Sequence, residues 1–405
     1  MAWTKKLEKL LKKTALRLFR VFYRPDPSSG EIHPLEIHRI LVVRPDNRIG
    51  NLILITPLLQ MIRNAFPKAH VALLTGRSFP TLLSGHPALD EILVADQRRF
   101  IRNPFYLLRF FHRLKRSSFD LAVDASHMHS LSFTAGVLAR ATGAPIRLGY
   151  DRPHSDLFLN VRVPLVSGEP HEIDIHLNLV RVLIGDTERE PLALPSWRRE
   201  TGDGDNTSHV PLLKAPPLYL PVASTHRHYA EQVFAKYTNP YRMSVGLHLG
   251  GRRGKQWPPE CFAVLMDRLV EDFNVQPVVF WGEGDQRAAK EVQHMVKCTP
   301  LWIPPGPVER LPALIAQCST FISSDTGPMH MAVALGIPTI AIFAVENYRR
   351  YGPRGPRHRI VFRKGGPEVK DVLHAFEDLL CYLNGSPEYR GTVSMMDLEN
   401  VERET

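Results

Sequence analysis

The sequence is short of the devices that tie a protein to metal, redox or phosphoryl-transfer chemistry. Its four cysteines (Cys261, Cys298, Cys318, Cys381) are isolated, with no C-x-x-C pair. That excludes a disulfide framework and a cysteine zinc site, and reads as reduced, buried thiols of a cytosolic protein. No apolar run reaches the length of a transmembrane helix; the longest are strand-sized. No Walker sequence occurs, and no G-x-G-x-x-G follows the first strand-like run, so neither phosphoryl transfer nor dinucleotide redox chemistry is indicated. Acidic clusters at metal-ligand spacing are missing as well. Neither a metal nor a cofactor is expected, and there is no short-period repeat.

What is present points first to the ends of the chain. The length of 405 residues suggests two or three domains, and the net charge of +10 is unevenly placed. Residues 1–24 carry eight lysines and arginines against the single acid Glu8, leaving about three charges of excess for everything that follows. This argues against a nucleic-acid surface on the body of the protein, and no nucleic-acid partner is expected. Trp3, Leu7, Leu11, Thr14, Leu18 and Val21 recur at helical spacing, with basic side chains on the other face. A basic amphipathic helix with aromatic anchors suits the surface of an anionic bilayer. Residues 24–33, with Pro25, Pro27, Ser28, Ser29 and Gly30, read as a linker.

From Ile37 the pattern turns α/β. Strand-like runs at His38–Arg44, His70–Gly76, Glu91–Asp96 and Asp120–Ser126 alternate with helical stretches at Leu52–Phe66, Pro104–Arg116 and Leu131–Thr142. Such alternation means right-handed crossovers and a parallel sheet, whose strand C-termini form the ligand-binding rim. The loop Pro45–Asn51 belongs on that rim. Periodicity fails between Ser196 and Pro217, the expected interdomain connection. A second series follows: helix from His228, strand Ser244–Gly250, helix Pro259–Phe273, strand Pro277–Gly282, helix Asp285–Val296, strand Pro300–Ile303 and helix Val308–Gln317. The expected divisions are 1–35 (basic helix and linker), 36–205 and 206–366 (two doubly wound sheets with a cleft between them), and 367–405 (a final helix and tail).

The second series carries the chemistry. Phe321–Ala344 reads as strand, tight turn, helix, strand. Asp325 and Thr326 stand at N-cap positions, Pro328 in the first turn, and Gly336 at the stop. Gly327 permits close backbone approach, and the helix N-terminus is a ready anion site to which His330 can add a donor. In HLGGRRGKQW, Gly250 and Gly251 let backbone N–H groups near a phosphate and Lys255 supplies a point charge. In WGEGDQ, Glu283 or Asp285 can accept from a ribose or base. Together these loops describe a pocket for a nucleotide diphosphate, with no metal required.

Three stretches, RPDNRIGNLILITPLL, VGLHLGGRRGKQWPPECFAVL and SSDTGPMHMAVALGIPTIAIF, resemble the family-nine glycosyltransferases, the ADP-heptose:lipopolysaccharide heptosyltransferases. The resemblance runs from about Ile37 to Phe343. It implies the GT-B architecture of two Rossmann-like domains. Lys255, Asp325, Thr326, Gly327 and His330 would then hold the diphosphate and ribose of a nucleotide-sugar donor. A lipopolysaccharide core or other envelope glycolipid would be the acceptor, received by the first domain. It also implies a peripheral enzyme on the cytoplasmic face of the inner membrane, which gives residues 1–24 a purpose. One departure stands out. The family usually has an aspartate directly after the glycine of the first loop, and here Gly50 is followed by Asn51. A neutral amide cannot act as general base. Asp46 can take over as base, Asn51 can orient an acceptor that ionises unaided, or the protein is a catalytically silent sugar-nucleotide or glycolipid binder. His127 is a lesser candidate for the base. Arg44 and Arg48 either bind acidic groups of the acceptor or belong to a solvated or salt-bridged loop, and the arginines from 349 to 359 carry the same ambiguity. The expected reaction is inverting displacement at the anomeric carbon.

Overall fold

The computed structural model describes residues 37–184, 215–251 and 254–385. The basic segment 1–24, the linker, the first part of the connection from Ser196, Arg252, Arg253 and the C-terminal tail lie outside the described residues. The chain divides into two compact units between Pro217 and Leu218.

The N-terminal unit runs β1 (Arg39–Arg44), α1 (Ile49–Leu54), α2 (Thr56–Ala65), β2 (His70–Gly76) and β3 (Glu91–Ala95). It continues with α3 (Gln97–Arg102), α4 (Pro104–Arg116), β4 (Leu121–Asp124), α5 (Phe133–Ala141), β5 (Ile146–Tyr150), β6 (Val161–Val163) and α6 (Glu172–Ile184). All six strands are parallel, in the order β3-β2-β1-β4-β5-β6. β1 is buried along nearly its whole length, as a strand covered by helices on both faces must be, hence its unbroken apolar run.

The C-terminal unit runs α7 (Ser224–Tyr237), β7 (Ser244–His248), α8 (Pro259–Phe273), β8 (Gln276–Phe280), α9 (Gln286–Met295) and β9 (Leu301–Ile303). Then come α10 (Leu311–Ile315), β10 (Thr320–Ser324), α11 (Gly327–Ala334), β11 (Thr339–Phe343), α12 (Tyr348–Tyr351), β12 (His358–Phe362) and α13 (Val369–Gly385). Its sheet has the order β12-β11-β10-β7-β8-β9, again all parallel. Read from β7, this is the arrangement of the first unit repeated. Strand order reverses beside β1 and beside β7, and ligands of such sheets bind outside the strand ends at that reversal. The crevices therefore open at the C-termini of β1 and β4 in one unit, and of β7 and β10 in the other.

Three expectations need correction. The single helix at Leu52–Phe66 is two, parted at Ile55, and the first already starts at Ile49. Pro57 has no N–H for the Ile53 carbonyl, which the Thr56 hydroxyl takes instead at 2.8 Å. The helix at Val308–Gln317 is a 3-10 turn over Val308–Arg310 followed by the short α10, with Pro312 at its start. The arginine-rich stretch after Phe343 is no plain loop, since it contains α12 and the edge strand β12.

Candidate active site

At the C-terminal crevice, α11 begins immediately beyond β10 with Thr326 in the N-cap position and Pro328 in its first turn. No side chain caps this helix. Thr326 has extended backbone, and its hydroxyl turns to the strand ends instead. It lies 2.9 Å from Ser323 Oγ and 3.3 Å from Nδ1 of His248. Ser323 and His248 are register partners on β10 and β7. The first-turn amides are thus left without a side-chain acceptor, the condition for receiving an anion. Gly336, at φ +75°, terminates the helix in the left-handed region where a side chain is disfavoured.

The loop after β7 supplies the cation. Lys255 Nζ pairs with the Asp325 carboxylate, whose same oxygen accepts from Asn347 Nδ2 at 2.7 Å. The ammonium is also 5.9 Å from the centre of the Tyr351 ring. Two residues expected to grip the donor therefore hold each other, and Asp325 fixes the lysine against α11. A pyrophosphate arriving there would compete with Asp325 for the ammonium, while Asn347 keeps the carboxylate partnered. The far end of the loop is pinned by Trp257, which is fully buried against Phe262 and donates from Nε1 to the Pro367 carbonyl at 2.8 Å.

Gly250 has a steric duty of its own: a Cβ there would overlap the His248 ring and the Asp285 carboxylate. A Cβ at Gly251 would strike Gln256. Asp285 accepts from the Gly282 N–H at 3.0 Å, closing the loop after β8, whereas Glu283 is exposed. His330 is buried in the first turn of α11. Burial lowers the pKa of His248 to about 4, against an opposing pull from Asp285, so the ring that holds Thr326 is neutral near pH 7.

The N-terminal crevice is built from side chains. Asp46 follows β1 in a tight turn, its N–H bonded to the Arg44 carbonyl at 2.7 Å. Its carboxylate accepts from the Asn51 amide at the start of α1. Asp46 and Asn51, weighed as alternatives at the catalytic position, form one hydrogen-bonded pair. Nη2 of Arg44 is 3.7 Å from Asp46 and 3.6 Å from Glu172, and Nη1 bonds the Ala125 carbonyl. With its side chain 1% exposed, Arg44 holds the two carboxylates from inside, while Arg48 is exposed at the start of α1. Nε2 of His127 is 3.7 Å from Asp46 and Nδ1 is 3.9 Å from Glu172, so the ring stands between the two carboxylates. Its loop is braced by Arg152, which pairs with Asp124 and donates to the His127 carbonyl at 2.7 Å. His176, fully buried one helical turn beyond Glu172 at 3.5 Å, is pushed down in pKa by burial, with Glu172 pulling the other way.

Sequence reasoning missed Glu172, His248, Trp257 and Asn347. His248 and Trp257 sit inside a stretch already singled out, and Asn347 follows β11 onto the rim. Only Glu172 gave no local signal.

Two Rossmann-type units of identical strand order, one with an uncapped helix terminus at its crevice and the other with a carboxylate-centred crevice, define the GT-B class of glycosyltransferase fold. A crystal structure of a glycosyl transferase family 9 protein from Veillonella parvula superposes with a TM-score of 0.71 at 20% identity, covering 87% of this chain and 99% of that one. The Escherichia coli heptosyltransferase WaaC with ADP gives 0.61 at 18% identity, covering 84% and 99%. In sequence, lipopolysaccharide heptosyltransferase 2 of Escherichia coli is 27% identical over 226 residues, 51% of this chain and 61% of that protein's length. The model of glycosyltransferase family 9 (heptosyltransferase) matches residues 107–373. The chain belongs to that family, and the protein is a glycosyltransferase.

Proposed function

We propose that the protein transfers a heptose from ADP-heptose to a lipopolysaccharide core or a related envelope glycolipid, with inversion and without a metal. The observation that carries this reading is the C-terminal crevice: an uncapped helix N-terminus beside Lys255 at the strand-order reversal, suited to a pyrophosphate. The related Escherichia coli heptosyltransferase known with ADP supplies the choice of nucleotide. On departure, the pyrophosphate gathers negative charge against the α11 amides around Gly327 and the ammonium of Lys255, groups oriented before reaction. Gly250 and Gly251 keep the backbone low enough for the phosphates to approach, and His330 and either Glu283 or Asp285 complete the donor contacts. In the N-terminal unit Asp46 accepts the proton of the acceptor hydroxyl. Asn51 fixes the orientation of the Asp46 carboxylate, and Arg44 with Glu172 sets the charge around it. Arg48 meets acidic groups of the acceptor. Residues 1–24 hold the enzyme to the anionic cytoplasmic face of the inner membrane.

Asn51 favours a second reading, a silent binder of the same ligands. Incubation of the purified protein with labelled ADP-heptose and heptose-deficient lipopolysaccharide separates the two. Label in the lipopolysaccharide supports transfer; tight ADP-heptose binding without product supports the binder and ends the enzyme claim for this donor.

A further inference from the structure

The face formed by α3 and α4 has no part in either crevice. From 97 to 117 the chain holds seven lysines and arginines and no aspartate or glutamate. Through the same stretch Ile101, Phe105 and Leu108 are 86%, 81% and 65% exposed, among the most exposed large apolar side chains of the described residues. They are not leftovers of a core contact. α4 already seats Phe110 and Leu114 in the interior, with Phe111 against the same cluster. Phe105, Leu108, Arg109, His112 and Arg116 follow one another at helical spacing along the opposite side.

The two short helices are held firmly enough to present this face. Asp96 caps α3 by accepting from the N–H groups of Arg98 and Arg99 at 3.1 and 3.2 Å, and Asn103 caps α4 by accepting from Tyr106 at 2.9 Å. Phe100 ties them together, its ring 5.7 Å from Tyr106 and 5.0 Å from Phe110. Toward the C-terminal end of α4, Arg109, His112, Arg113, Arg116 and Ser117 line an open hollow of about 360 Å³. Arg113 also pairs with Glu91 at 2.9 Å, and Asp96 lies 3.8 Å from Arg77, so acids border the face and occupy one of the hollow's three arginines.

We infer that the α3–α4 face of the N-terminal unit docks on an anionic lipid bilayer. Ile101, Phe105 and Leu108 enter the headgroup boundary, and the arginines of the hollow receive lipid phosphates. A bilayer is the surface that offers apolar depth and negative charge side by side. Nucleic acid would pair with the arginines but leave the aliphatic tips of Ile101 and Leu108 without a counterpart. This contact lies on the folded body and is additional to one made by residues 1–24. Among the described residues no helix is long and apolar enough to cross a membrane, so the geometry is that of lying on the surface.

Hydrogen exchange on the full chain tests this without any sugar donor, so the outcome is independent of the transfer reaction. Vesicles of phosphatidylcholine with phosphatidylglycerol should slow exchange across 97–117, and phosphatidylcholine alone should not. The triple substitution Ile101→Ser, Phe105→Ser, Leu108→Ser should weaken partition into the anionic vesicles by about tenfold or more, with the unfolding transition of the parent retained. Arg109→Glu with Arg116→Glu is the second variant and should lower binding with a reduced salt dependence. Exchange at 97–117 unchanged by vesicles would overturn the proposal. So would both variants partitioning like the parent, or an oligonucleotide slowing exchange there where vesicles do not.

Discussion

In the N-terminal unit the loops leaving β1 and β4 bring charged side chains together: Asp46, Arg44 and His127, with Glu172 added from α6. In the C-terminal unit the corresponding loops after β7 and β10 bring backbone forward, through Gly250, Gly251, Gly327 and an uncapped helix end, with one lysine and its partner Asp325. Strand order is the same in both sheets. Topology therefore decides where each unit can work, and the residue types of two loops decide what it can do. Clustered ionisable groups suit proton transfer, whereas oriented amides and an ammonium suit an anion that neither gains nor loses a proton.

The largest effect should come from removing the ionisable group that this contrast assigns to the N-terminal unit. Asp46→Asn keeps size and hydrogen bonding to Asn51 but cannot accept a proton. It should lower kcat by about 10²- to 10⁴-fold, with ADP affinity unchanged by titration calorimetry. Near-normal turnover would break the comparison, because the carboxylate would then be only a structural partner of Arg44.

A smaller effect is expected in the other unit. Lys255→Ala should raise the Kd for ADP by about tenfold to a hundredfold, the range for losing a charge-assisted contact of roughly 1.5–3 kcal/mol. Asp325→Asn leaves the ammonium in place and removes its competing carboxylate, so ADP should bind no more weakly than to the parent. Equal losses in the two variants would mean that Asp325 touches the donor itself; no loss in either would place the pyrophosphate elsewhere.

The legible part of this molecule is the part written in consecutive residues. The stretch from Phe321 to Ala344 announces strand, turn, helix and strand because its caps, proline and glycine lie within one or two turns of the features they control. What joins distant stretches could not be read. Lys255 and Asp325 are 70 positions apart, and both could be named as donor contacts while their pairing stayed hidden. Glu172 opens a helix in a region with no motif, and only the packing of α6 brings it to Arg44. The split of the first helix was available in principle, since Pro57 stands in plain view within Leu52–Phe66. A strong apolar period masked it.

The smallest effect concerns pH and the neutral imidazoles that the two units bury. Burial lowers His86 in the N-terminal unit, and His248 and His358 in the C-terminal unit, to about 4. In the unfolded chain such groups titrate near ~6.5. Above that value neither state binds the proton, and these residues do not alter stability. As pH falls from about 6.5 toward 4, the unfolded chain takes up protons that the folded protein refuses, so stability is lost across that window. The urea midpoint should therefore be lower at pH 5 than at pH 7.5. His248→Gln removes one of these groups while leaving an amide to meet the Thr326 hydroxyl. Its midpoint should vary less with pH than that of the parent. A parent midpoint that stays flat across the window would mean that the imidazole beside Thr326 accepts its proton in the folded state, and the crevice would then hold a second cation next to Lys255.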